Sequence, residues 1–110
     1  MLMNRARRSI LFAIIMALEE IGVSGDSIEV VMERVRTIYS QIEELLEAEE
    51  EAYENYPDNL RSIDRCEQLE ANIEMFYTAL ELLDEATEAE SFGAALENIA
   101  EAKGALEEIV

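Results

Sequence analysis

The chain has 110 residues, half of them hydrophobic, with 26 acidic residues against 8 basic ones and a formal net charge of −18. That length is one domain, residues 1–110, and so large an apolar fraction excludes a disordered acidic tail. Histidine is absent, which removes the commonest general base and the commonest metal ligand, and the charge disfavours direct contact with nucleic acid or anionic lipid.

Arg5, Arg7 and Arg8 lead into an apolar run over residues 10–18. In outline this is how a signal peptide begins. Nine apolar residues are too few to cross a bilayer, however, and the run ends in Glu19-Glu20 with no small-residue cleavage site. The pattern predicts a buried helix over residues 2–21, stopped by Gly22. Its apolar side chains cover nearly the whole circumference, so it should be enclosed on several sides. In so short a chain this points to a homodimer or higher oligomer assembled through Ile10, Leu11, Ile14, Ile15 and Leu18.

Ser24, Gly25, Asp26 and Ser27 form a turn rich in capping side chains. A second helix follows to residue 54, with Ile28, Val31, Val35, Ile38, Ile42 and Leu45 at alternating spacings of three and four. This is the seam of a coiled coil or long helical hairpin. The same register carries Glu49 onto the seam, then Ala52 and Tyr56. The seam is therefore expected to weaken there, leaving that end splayed, solvated or in contact with another molecule.

Pro57 suits the first position of a new helix, with Asp58 in its first turn. This third helix should run to residue 88 or 90 on a stripe of Cys66, Leu69, Ile73, Phe76, Leu80 and Leu83, widened by Ile63 and Tyr77. Cys66, the lone cysteine, reads as a core residue in a reducing, cytoplasmic setting. Ser91 is placed to cap a last helix bearing Phe92, Leu96, Ile99, Leu106 and Ile109, unless helices three and four are one bent helix. The expected fold is all-α: a long antiparallel, coiled-coil-like hairpin, with the apolar N-terminal helix and a short C-terminal helix packed along it as a bundle.

Between the second and third helices, Asn55, Pro57, Asp58, Asn59, Leu60, Asp64 and Arg65 form an Asn-x-Pro-acidic-Asn-Leu element followed by an acidic-Arg pair. This segment resembles a motif of small acidic helical proteins encoded by bacteriophages. The likeness covers residues 43–106 and leaves the first helix outside it. It departs at Tyr56, where methionine is usual, and at the bulky Met75-Phe76-Tyr77 cluster. The resemblance implies a phage-encoded protein acting in a host cytoplasm, and no particular activity.

Chemistry is scarce. The Glu-x-x-His pairs of a di-iron bundle, a calcium loop, a phosphate-binding glycine loop and a nucleophile–base motif are all missing from the sequence. No catalytic residue, metal site or cofactor is indicated, and a non-enzymatic protein is expected. Arg61 and Arg65 share a helix face at i and i+4, near Asn59 and a helix N-terminus. They either pair with surrounding acids or form a small anion pocket.

Residues 25–56 and 57–90 each hold ten acids. Along a hairpin of about 45 Å this is one charge per roughly 2 Å, close to the roughly 1.7 Å of duplex DNA. Three functions follow from these features. The first is an acidic interaction or inhibitor protein, a possible DNA mimic or anti-defence protein, that binds a basic, nucleic-acid-handling partner through Glu43, Glu44, Glu47, Glu49, Glu50, Glu51 and Glu54. The second is an oligomer that sequesters a nucleotide messenger with Arg61 and Arg65. The third is a structural assembly factor. Against the first stands the simpler possibility that excess acid only maintains solubility or suits a high-salt cytoplasm.

Overall fold

The structure, a computed structural model, describes residues 5–57, 59 and 64–110. Its elements are α1 (Arg5–Val23), α2 (Ile28–Glu54), α3 (Asp64–Glu88) and α4 (Phe92–Glu107). Among the described residues there is no strand. α1 packs on α2 and α4, and α3 packs on the same two helices, so the four close into a ring around one core. Short connections make successive helices antiparallel. The result is an all-α bundle with extents of 50 × 25 × 18 Å.

The caps are set by short polar side chains. Ser27 and Ser91 hold extended backbone angles at the starts of α2 and α4, and their hydroxyls accept hydrogen bonds from the amides of Val30 and Ala94. The α3–α4 break at Ser91 resolves the alternative of one bent helix. Ser91→Ala is expected to cost about 1 kcal/mol and to lower Tm by about 4–8 °C. A melting curve followed by circular dichroism checks this. The first helix does not stop at Gly22: it continues to Val23, and the residue with a positive φ (69°) is Gly25. The left-handed turn needs the residue without a Cβ two positions after the helix ends. Residues 58 and 60–63, where the sequence places the start of the third helix, lie outside the described residues.

The α2 seam follows its spacing, with Val31, Val35, Ile38, Ile42 and Leu45 all buried. On α3 the stripe holds at Cys66, Leu69, Phe76, Leu80 and Leu83, but Ile73 is only half-buried and its neighbour Asn72 takes the interior position. Asn72 is satisfied there by the chain end: its amide nitrogen donates to the Val110 carbonyl at 2.8 Å, and its oxygen accepts from the Val110 amide at 3.2 Å. Ala79 and Ala86 on α3, and Ala95 and Ala102 on α4, are buried at seven-residue spacing. Small side chains at this interval let two helix axes approach at the short end of the usual 8–10 Å range.

The expectation about the first helix needs correction. Leu11, Ile14 and Leu18 face inward and are buried within the chain's own core, and Ile15 is half-buried against it. Of the five residues assigned to an oligomer interface, only Ile10 is exposed. The reason is α4: by closing the ring onto α1 it supplies the cover that a second chain was expected to provide.

Candidate functional site

Two polar features stand out, one open and one closed. The open one is a groove of ≈ 560 Å³ between α2 and α3. From α2 it receives Tyr39, Glu43, Leu46, Glu47 and Glu50, and from α3 Tyr77, Leu80, Glu81 and Asp84. These positions recur at three and four residues along each helix, so they form the stripe immediately beside the buried seam. Leu46 and Leu80 make an apolar floor, five carboxylates make the walls, and among the described residues neither arginine nor lysine lines it.

The two tyrosines sit among these acids. The Tyr77 hydroxyl donates to Glu50 Oε2 at 2.7 Å. Accepting that proton, Glu50 pushes the Tyr77 phenol above its ordinary range. Tyr39 is also raised, first by burial and then by the charges of Glu43 and Asp84. Both hydroxyls therefore stay protonated at neutral pH. Ion pairs among the described residues engage Glu20, Asp26, Glu49 and Glu107, none of which lines the groove. Arg36 borders the adjoining cleft with Asp84. The walls thus keep a local negative field.

The closed feature is centred on Glu49. Its side chain is 0 % exposed, and Oε1 lies 3.3 Å from Arg7 Nη2 across the α1–α2 interface. Burial raises its carboxyl above the ordinary range, and Arg7, the Asn72 amide and Arg8 offset part of that rise. The seam does not loosen at Glu49. It continues as a buried charge paired with the N-terminal end of α1. Glu49 is therefore withdrawn from the acidic recognition surface.

The remaining acids separate by position. Glu43 and Glu47 are exposed on the groove, and Glu50 is half-buried there. Glu44, Glu51 and Glu54 are exposed but lie outside its lining. Arg61, assigned to the anion pocket, lies outside the described residues. Asn59 and Arg65, assigned to it, are exposed. Among the described residues no three metal-ligating side chains converge, and no helix is long and apolar enough to cross a membrane. Sequence reasoning missed Tyr39, Glu81 and Asp84, and it placed Tyr77 on the apolar stripe. The available signal was Tyr77, Glu81 and Asp84 at i, i+4 and i+7, a polar face parallel to the seam. No family model matches the chain, and neither a curated protein nor a solved structure matches it significantly.

Proposed function

We propose that this chain is a non-enzymatic acidic interaction protein that captures a basic segment of a nucleic-acid-handling protein in the α2–α3 groove. The observation that carries this reading is the groove itself: Glu43, Glu47, Glu50, Glu81 and Asp84 line it, with no cation in its lining among the described residues. Lysine or arginine side chains entering it meet carboxylates on both walls and the faces of two tyrosines, which favour cations by a further 0.5–1 kcal/mol or so. The apolar floor accepts their methylene stems. The wider charge excess, 26 acids to 8 bases, accelerates encounter with a basic partner and repels competing nucleic acid. Occupation of such a segment blocks the surface its owner uses on phosphate backbones. The phage-like Asn-x-Pro-Asp-Asn-Leu element supports a setting in which that owner belongs to a host cell.

The test is a titration of a lysine- and arginine-rich peptide into the full chain, read by fluorescence anisotropy. Exposed ion pairs contribute about 0.2–1 kcal/mol each. Reversing three of them, in Glu43→Lys/Glu47→Lys/Glu81→Lys, is expected to weaken binding about 100-fold. Glu97→Lys/Glu101→Lys, on α4 and outside the groove, is expected to change it little. Affinity should also fall steeply with added salt. Equal loss in both sets of variants, or indifference to salt, would refute the groove as the recognition surface.

A further inference from the structure

We infer that the outer face of α1 is a self-association surface that pairs antiparallel with the same face of a second copy of this chain. Opposite the buried side of α1 run Arg5, Ser9, Phe12, Met16, Glu19 and Val23, all exposed. Phe12 is 64 %, Met16 53 % and Val23 81 % exposed, so the three most exposed large apolar side chains among the described residues all lie on this line. The spacings are four, three, four, three and four, which is a coiled-coil seam, and the series reads the same from either end. A second copy laid antiparallel across it sets Phe12 against Met16 of the other chain, Ser9 against Glu19 and Arg5 against Val23. The two-fold axis makes each contact occur twice. Phe–Met is a favourable sulfur–aromatic contact.

Charge identifies the occupant. α1 is the one described helix whose arginines outnumber its acids, with Arg5, Arg7 and Arg8 at its start and Glu19 and Glu20 near its end. The other three helices are net negative. Two copies of a chain with charge −18 therefore repel least through this face. The order of charges also opposes the helix macrodipole, which favours acids at the N-terminus and bases at the C-terminus. Glu49 accounts for Arg7, and Arg34 lies 3.8 Å from Glu20. Arg5, Arg8 and Glu19 have no ion-pair partner among the described residues. Arg8 Nε and Nη2 also lack an acceptor there. Antiparallel pairing supplies what is missing. Each positive N-terminal end comes beside the other chain's acidic C-terminal end, and Glu19 falls on the same flank of the helix as Arg8, within reach once that half-buried side chain swings out. The groove between α2 and α3 includes no α1 residue, so this association is separate from partner capture.

Sedimentation equilibrium of the full chain in moderate salt is expected to give the mass of two chains. Phe12→Glu/Met16→Glu should give the mass of one, with an unchanged helical circular dichroism spectrum because both positions are exposed. Glu19→Arg should raise the dimer Kd about tenfold, and adding Arg8→Glu to it should restore the dimer. The inference fails if the unaltered chain has the mass of one, which would leave the face to another occupant. It also fails if the dimer survives Phe12→Glu/Met16→Glu, or if the charge swap rescues nothing.

Discussion

Glu49→Ala is expected to destabilise the chain by about 3 kcal/mol, and Glu49→Leu to leave stability unchanged or raise it. The asymmetry comes from what each variant leaves behind. Alanine removes the charge that neutralises Arg7 and opens a void in a packed seam. Arg7 keeps 25 % of its side chain exposed and can turn toward water, which holds the cost at the low end of the usual range for a broken buried pair. Leucine fills the space, continues the Ile42–Leu45 stripe and removes the cost of burying a carboxylate. Urea midpoints for the three proteins decide the matter.

The same residue reverses the usual response to acid. Its folded pKa lies above the ordinary value of 4.5 because burial penalises the charged form more than Arg7, Asn72 and Arg8 favour it. Above the raised value the carboxyl is charged in both folded and unfolded chains, and the full burial cost is present. Below 4.5 it is neutral in both and the cost is gone. Through the window between, the folded chain holds the proton more tightly, so this group adds stability as pH falls. Unfolding free energy of the natural chain relative to Glu49→Gln should therefore rise on acidification from neutral pH. Parallel pH profiles for the two proteins would show that the carboxylate is not held as described.

Phe76→Ala should be the most damaging single substitution in α3, at about 3–5 kcal/mol. Phe76 is 0 % exposed and is the largest side chain in the core. It sits at the middle of α3, a helix that packs on both α2 and α4, so the hole left by alanine is not expected to close by movement of one helix. Against a total of about 5–15 kcal/mol for a typical domain, that loss leaves a substantial unfolded fraction. Phe76→Leu retains most of the volume and should cost under about 1.5 kcal/mol. Denaturant titrations of the two variants distinguish a packing role from a general loss of apolar content.

The contrast between α2 and α1 explains how much of this fold was legible. A seam such as Val31, Val35, Ile38, Ile42 and Leu45 leaves one solution, because only one face of the helix is apolar. The apolar run over residues 10–18 of α1 permits several, and the choice is made by α4, a helix far away in sequence. Asn72 and Ile73 show the same effect at one position. Both fit three-four spacing between Leu69 and Phe76, and the backbone groups of Val110 tip the balance toward the amide. Glu49 was placed correctly on the seam by spacing, but its burial depended on Arg7 arriving from α1. The candidate site was half legible for a similar reason. Glu43, Glu47 and Glu50 belong to a conspicuous acidic run, whereas Tyr39, Glu81 and Asp84 join them only through the alignment of α2 against α3.

The groove has a measurable span. From Tyr39 to Glu50 it follows α2 for about 17 Å, the length of about five residues of extended peptide. A footprint that short reads a linear stretch of four to six residues or so, and it discriminates by the placing of positive side chains within that stretch. Recognition then follows local sequence in a tail or loop, and proteins of unrelated architecture that share such a stretch become equivalent ligands.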